Sequence, residues 1–137
     1  LFRSKRLQVA VRILVRPGGE LLIQQRRAGT DCAGQWEFPG GKLESAETAE
    51  QALARELQEE LNIVIAEPTF LTCLEHDYEH AHVSLHTYMI FDWQGEPEGR
   101  EGQVIVWGQP ENIREYDLLK AAYSLLDLAI DRVADKR

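Results

Sequence analysis

Residues 40–63 read GGKLESAETAEQALARELQEELNI, a stretch in which a glycine pair leads into a helical pattern with an acidic face. Glu56, Glu59 and Glu60 stand at positions i, i+3 and i+4, so a helix brings their carboxylates onto one face. Carboxylates grouped in this way suit hard divalent cations, which take oxygen ligands. A stripe of leucines adjoins this face, namely Leu53, Leu57 and Leu61. The stretch therefore predicts a metal site at the edge of a packed core.

Both ends of this helix carry local signals. Thr48, followed three residues later by Gln51, fits a capping box, and Asn62 suits the left-handed conformation that often ends a helix. Upstream, Gly40 and Gly41 let the backbone pass close to another group and offer carbonyl oxygens as ligands. The alternative is a solvated, glutamate-rich helix, which is common. The glycine pair favours the metal site.

The spacing within residues 41–63 resembles the Nudix box. In that pattern a glycine is followed after five residues by Glu, and after seven more by Arg-Glu-apolar-any-Glu-Glu-any-Gly-apolar. The matching positions are Gly41, Glu47, Arg55, Glu56, Leu57, Glu59, Glu60 and Ile63. The one departure is Asn62, which replaces a glycine and is the next best residue for a left-handed helix cap. We therefore expect the metal site to be intact.

The rest of the chain predicts strands around this helix. Residues 7–15 and 21–25 are β-rich and flank a turn at residues 16–20, so we predict that they form a hairpin. Further strands are predicted over residues 36–38, 63–66, 69–76, 83–93 and 104–107, a helical turn over 110–113 and an amphipathic helix over 116–133. This order fits an α/β fold, an α/β/α sandwich with a mixed β-sheet between helices. The Nudix resemblance spans nearly all of the chain.

The resemblance implies a chemistry and a set of roles. Nudix hydrolases cleave a nucleoside diphosphate linked to another group, with Mg²⁺ as cofactor and Mn²⁺ as a substitute. The likeness is closest to the mutT-like subgroup, which forms nucleoside monophosphate and pyrophosphate. The implied metal ligands are the Gly40 carbonyl, Glu56, Glu59, Glu60 and Glu101, the last in a Gly-rich loop at residues 95–103. Glu59 or Glu101 would serve as general base, and Glu47 and Arg55 would pair to position the loop against the helix.

The sequence says less about how the substrate is recognised than about the metal site. Arg26 stands where relatives often hold a substrate-contacting arginine, although paired arginines also occur at solvated strand ends. Phe38 is expected in the core or beside a base. Ala122 occupies the position at which mutT-like relatives often carry Asn or Asp, so a usual base contact is absent. We expect an oxidised or noncanonical (deoxy)nucleoside triphosphate, similar to 8-oxo-dGTP, as substrate. The alternatives are a pyrimidine nucleoside triphosphate, a dinucleotide, a nucleotide sugar, or a non-hydrolytic sensing role.

Composition narrows the function further. The chain has 137 residues, of which 44% are hydrophobic, which suits one domain spanning residues 1–137. Its net charge of −8 argues against binding a nucleic-acid polymer, because little would neutralise the phosphate backbone. Cys32 and Cys73 show no metal-ligand spacing, so we expect reduced thiols or one disulfide. With no apolar run of membrane-spanning length and no visible signal peptide, we expect a cytoplasmic monomer or homodimer without a membrane partner.

Four histidines lie near one predicted strand, namely His76, His80, His82 and His86. Alternation places most of them on one face with Ser84 and Tyr88. Zinc binding is conceivable from such spacing. We favour instead a polar sheet face that lines a substrate cleft, with a solvated face as the alternative.

Overall fold

The structure is a computed structural model that describes residues 5–79 and 81–136. Its strands are β1 (Lys5–Leu14), β2 (Leu21–Gln25), β3 (Trp36–Glu37), β4 (Gly40–Lys42), β5 (Val64–Ile65), β6 (Thr69–Tyr78), β7 (Ala81–Ile90), β8 (Trp93–Gln94) and β9 (Ile105–Gly108). Its helices are α1 (Ala49–Leu61), α2 (Pro110–Ile113) and α3 (Lys120–Lys136). Within the described ranges, no helix is long and apolar enough to cross a membrane.

A four-stranded sheet in the order β4-β1-β7-β6 forms the centre of the fold. Strands β1 and β7 run parallel, with Leu7 opposite Val83, whereas β4 and β6 are antiparallel to their neighbours. Two smaller antiparallel sheets adjoin it, with the orders β3-β2-β9 and β5-β8. The mixed sheet predicted from the sequence is confirmed.

Strand β1 shows how the core is divided into two layers. Successive side chains of a strand point to opposite faces. Ala10 and Leu14 pack with the leucine stripe of α1, while Val11 and Ile13 pack with the apolar face of α3. Because helices cover both faces of the central sheet, the predicted α/β/α sandwich is confirmed.

Helix α1 begins and ends where its sequence signals predict. The Thr48 hydroxyl accepts a hydrogen bond from the Gln51 backbone N–H at 3.1 Å, and the Gln51 side chain accepts one from the Thr48 backbone at 2.9 Å. Asn62 closes the helix with a φ of 59°, in the left-handed region. These local bonds fix the helix that carries the acidic face.

The predicted hairpin is wrong. Although the chain reverses through residues 16–20, β1 and β2 are joined by one isolated bridge between Val15 and Leu21. Strand β1 pairs instead with β4 and β7, and β2 with β3 and β9. The hydrophobic pattern identified both strands but carried no information about their distant partners.

Two element boundaries also differ from the sequence prediction. Helix α3 begins at Lys120 rather than near Tyr116, because the preceding backbone pairs with Trp36. The Trp36 N–H donates to the Asp117 carbonyl at 2.8 Å, and the Leu119 N–H donates to the Trp36 carbonyl at 2.9 Å. The β-run predicted over residues 83–93 divides into β7 and β8, which enter different sheets.

Candidate active site

The glycine pair lies on β4, between β1 and the acidic face of α1. Gly41 is opposite Ala10 of β1, and a Cβ atom at Gly41 would overlap the carboxylate of Glu56. A Cβ atom at Gly40 would lie 3.2 Å from the Ala10 carbonyl oxygen and 3.3 Å from a Val11 methyl group. A larger residue at position 41 would therefore displace the Glu56 carboxylate from its present place beside the strand.

The three glutamates of the acidic face are not equivalent. The side chains of Glu56 and Glu60 are only 11% and 14% exposed, whereas that of Glu59 is 61% exposed. Among residues 5–79 and 81–136, no three His, Cys, Asp or Glu side chains already converge as a ready-made metal-binding group. Two carboxylates therefore face the sheet, while the third remains open to solvent.

Glu47 and Arg55 form a two-bond ion pair, the geometry expected of a positioning pair. The Arg55 Nε donates to one Glu47 oxygen at 2.7 Å and its Nη2 to the other at 3.0 Å. Arg55 lowers the pKa of Glu47 from its ordinary 4.5 to about 2, with help from the Glu44 backbone N–H, and Glu47 in turn raises the pKa of Arg55. This pair connects the loop before α1 to the middle of the helix.

Sequence reasoning missed a buried arginine beneath the acidic face. Arg12 lies on the α1 side of β1, has no exposed surface, and donates from Nη2 to the Glu60 carboxylate. Burial lowers the pKa of Arg12 to about 10, while the charge of Glu56 opposes this change, so the guanidinium stays protonated at neutral pH. The sequence does contain one signal for this arginine, namely a charged residue inside the largely apolar run LQVAVRILV.

Glu37 is a second residue that sequence reasoning did not assign. One of its carboxylate oxygens accepts from Arg26 Nη1 at 3.0 Å, and the other accepts from the Gln24 side chain at 3.1 Å. Arg26 also donates from Nε to the Asp31 carbonyl at 2.6 Å. The predicted substrate-contacting arginine is therefore held in place by a carboxylate on the neighbouring strand.

The Gly-rich loop at residues 95–103 docks on the end of α1. Gln103 accepts from the Glu101 backbone N–H at 2.9 Å and donates to the Glu60 carbonyl at 3.4 Å, while Arg27 donates to the Glu101 carbonyl at 2.6 Å. The negative charge of Glu101 opposes the lowering of the Arg12 pKa by burial. The loop thus brings Glu101 towards the buried glutamates of α1.

A cavity of about 660 Å³ opens beside the glycine strand. Phe38 and Ala122, each 4% exposed, line it, so Phe38 belongs to both the core and the cavity wall. Arg26, Glu37 and Gly41 also line the cavity, and Gly41 lies beside the Glu56 carboxylate. The volume falls in the usual range of small-molecule sites. The predicted base-contacting positions therefore share one cavity with the predicted phosphate-contacting arginine.

Of the histidines in the described part of the chain, none of His76, His82 and His86 lines this cavity. His82 lies between Glu75 and Asp77 on the polar face of β7, and Asp77 followed by Glu75 raises its pKa. The opposite, apolar face of β7 contributes Val83 and Leu85 to the cavity wall. The interpretation of the polar face as a cleft lining is therefore wrong. His80 lies outside the described residues.

Comparisons with known proteins agree with this geometry. Residues 5–129 match the NUDIX domain family. An 8-oxo-dGTP diphosphatase of Escherichia coli (strain K12) is 42% identical over 103 residues, which cover 75% of this chain and 80% of that protein. A CTP pyrophosphohydrolase of the same strain is 37% identical over 123 residues, which cover 90% of each. The solution structure of the E. coli ORF135 protein has a TM-score of 0.83 and 35% identity, covering 96% of this chain and 94% of that chain.

The chain belongs to the Nudix family. It is accordingly a hydrolase that acts on phosphoric anhydride bonds, and hydrolases of this family generally need a divalent metal ion.

Proposed function

We propose that this protein hydrolyses an oxidised purine nucleoside triphosphate, similar to 8-oxo-dGTP, to the nucleoside monophosphate and pyrophosphate. The observation that carries the proposal is the junction at Gly41. This glycine lines the cavity and also contacts the carboxylate of Glu56. A nucleotide whose base occupied the cavity would extend its phosphates towards the acidic face.

The carboxylates around Arg12 fit a divalent cation. Four of them, Glu37, Glu56, Glu60 and Glu101, act on a single buried guanidinium. Arg26 and Arg55 offset part of this negative charge, at Glu37 and Glu56, and a divalent cation would offset more of it as a triphosphate approached. We propose Mg²⁺ as the cofactor, with Mn²⁺ as a substitute, because the available donors are hard oxygens. The ligands would be the Gly40 carbonyl, Glu56, Glu59, Glu60 and Glu101.

The bound metal would polarise the phosphate and lower the pKa of a water molecule. Glu59 would accept the proton from the attacking water, because its side chain is the most exposed of the three on α1. Arg55 donates to Glu59 at 3.3 Å and so limits the positions of this carboxylate. Glu101 is the alternative base. Arg26, oriented by Glu37, would bind a phosphate oxygen with its remaining N–H groups.

Ala122 does not select a purine base, so a pyrimidine nucleoside triphosphate is a second candidate. Its methyl group lines the cavity and offers no hydrogen bond to a base edge. The other polar groups in the cavity include Asp31 and Tyr78. Burial raises the pKa of Tyr78, so its hydroxyl stays protonated at neutral pH. These groups could form hydrogen bonds with a purine or with a pyrimidine base.

We also propose that residues 1–137 act as one catalytic domain in the cytoplasm. Cys32 and Cys73 are both free and exposed, which is consistent with a reducing compartment. A monomeric or homodimeric state remains a prediction.

The test is kcat/KM for 8-oxo-dGTP, dGTP, CTP, a dinucleotide and a nucleotide sugar, with the wild type and Ala122→Asn. We expect 8-oxo-dGTP to be the best substrate, and the variant to change the ranking of bases because it adds an amide to the cavity. A wild type that prefers CTP would replace the oxidised purine by a pyrimidine. Nucleotide binding without turnover of any of these substrates would favour a sensing role.

A further inference from the structure

Arg12 is a charged residue that lies between two apolar side chains on one face of its strand. The residues before and after it on the same face of β1, Ala10 and Leu14, are apolar and pack against α1. Arg12 extends from the same face and is also fully buried. Its backbone N–H donates to the Pro39 carbonyl at 2.9 Å, just before the glycine strand. A guanidinium is thereby fixed beneath the acidic face of α1.

Hydrogen bonding alone does not explain how this buried guanidinium is stabilised. Among the described residues, its Nε and Nη1 atoms have no hydrogen-bond partner, and its one side-chain bond, from Nη2, goes to Glu60. A buried donor without a partner is costly. The compensating attraction comes from Glu60 and from three further carboxylates, of which Glu56 acts most strongly, followed by Glu37 and Glu101. The Arg12 guanidinium is therefore neutralised by its bond to Glu60 and by the charges of nearby carboxylates, rather than by a full set of hydrogen bonds.

A divalent cation needs the same carboxylates. The Glu60 side chain is 14% exposed, and its carboxylate already accepts a hydrogen bond from Arg12. A metal ion bound to Glu60 would therefore share this carboxylate with the guanidinium. Two cations drawn to one carboxylate repel each other, and this repulsion is strong where little water is present to screen it. The positive charge of Arg12 should therefore weaken metal binding at the Glu60 end of the cluster.

We infer that the positive charge of Arg12 takes the place of a metal ion beside Glu60, among the carboxylates that surround the guanidinium. The nucleotide-free protein is thereby kept from binding a divalent ion tightly at this position. The inference rests on the proposed metal site. Its consequence is that tight metal binding at this position requires the negative charge of the substrate phosphates. Arg12 is thus a positioning residue, which acts through Glu60 and does not itself contact the substrate.

The test compares the wild type with Arg12→Met, which keeps much of the side-chain length but removes the charge. Arg114→Met is the matched control, because Arg114 pairs with Asp127 on the exposed surface. Free Mn²⁺ is measured by electron paramagnetic resonance in titrations of nucleotide-free protein. Thermal unfolding is recorded in EDTA and in saturating Mn²⁺. Neither readout depends on catalysis.

We expect Arg12→Met to bind Mn²⁺ at least tenfold more tightly than the wild type, and Arg114→Met to match the wild type. In EDTA the Arg12 variant should unfold at a lower temperature, because Glu60 loses the cation it pairs with, whereas Glu56 keeps its ion pair with Arg55. Mn²⁺ should raise its unfolding temperature by more than it raises that of the wild type. Recovery of the fold on addition of Mn²⁺, by a variant that is unfolded in EDTA, would also support the inference.

Unchanged or weaker Mn²⁺ binding by folded Arg12→Met would overturn the inference while leaving the proposed function intact. A variant that stays unfolded in both EDTA and saturating Mn²⁺ would overturn it as well, since the metal would then not replace the guanidinium. If neither the wild type nor folded Arg12→Met bound Mn²⁺ at millimolar concentration, the proposed metal site would be ruled out, and the inference with it.

Discussion

Individual residues of the site separate into those defined by local spacing and those defined by the fold. The acidic face follows from the positions of Glu56, Glu59 and Glu60 along one helix, so it could be predicted from the sequence. Arg12 and Glu37 could not be assigned, because each acts through side chains that are distant along the chain. Spacing also could not show that Glu59 is exposed while its two neighbours are nearly buried.

The exposure of Glu59 leads to a prediction about turnover. If Glu59 binds metal or accepts a proton, Glu59→Gln should lower kcat by about 100-fold or more. The substitution should leave the fold intact, because the side chain is mostly exposed. Steady-state kinetics with the best nucleotide substrate, together with a thermal unfolding curve, provides the measurement.

The matched control is Glu50→Gln, which removes the same charge from an exposed position near the start of the same helix. This variant should retain the wild-type rate. If Glu59→Gln also retained it, Glu59 would be neither the base nor an essential ligand, and Glu101 would become the leading candidate.

The pairing of Glu47 with Arg55 predicts how stability depends on pH. Because the pKa of Glu47 is about 2 in the folded protein and 4.5 ordinarily, its pairing is fully stabilising above pH 4.5 and is lost as the pH falls towards 2. In Glu47→Gln, the free energy of unfolding should therefore fall less steeply over this range than in the wild type. Urea titrations at a series of pH values measure the slope.

Glu20→Gln is the comparison for this pH series, since Glu20 forms an exposed pair with Arg16 at 3.2 Å. Its slope should remain close to that of the wild type, because exposed pairs contribute little. Identical slopes for Glu47→Gln and the wild type would show that the Arg55 pair does not stabilise the folded state.

At the scale of elements, helix α1 was predictable because its signals are local. The capping box at Thr48 and the left-handed cap at Asn62 both act within one turn of the helix ends. Strand partners are not local. The sequence therefore identified β1 and β2 but not the separate sheets that they enter, and it could not show that Trp36 holds residues 117–119 out of α3.

The capping box supplies a prediction for the whole helix. Thr48→Ala should lower the free energy of unfolding by about 1 kcal/mol, because the Gln51 backbone N–H loses its acceptor. Thr48→Ser retains the hydroxyl and should lose much less. Urea unfolding midpoints of the three proteins test this, and equal midpoints for Thr48→Ala and the wild type would mean that the cap contributes nothing.

At the scale of the whole molecule, the two faces of the central sheet carry different parts of the candidate site. Helix α1 covers one face and presents the carboxylates, whereas α3 covers the other and closes the cavity with Ala122. The glycine strand at the edge of the sheet connects the two. The layered fold and the acidic helix were thus predictable from patterns, but the junction between cavity and carboxylates depends on the sheet order. The net charge of −8 opposes the approach of a triphosphate, and a bound cation would offset this charge locally.

The most direct test of the central claim is ³¹P nuclear magnetic resonance of the products formed from 8-oxo-dGTP, with Mg²⁺ and with EDTA. We predict pyrophosphate and the nucleoside monophosphate in Mg²⁺, and no turnover in EDTA, because the acidic face needs a cation before it can accept the phosphates. Release of inorganic phosphate with a nucleoside diphosphate, or equal turnover in EDTA, would contradict the proposed reaction.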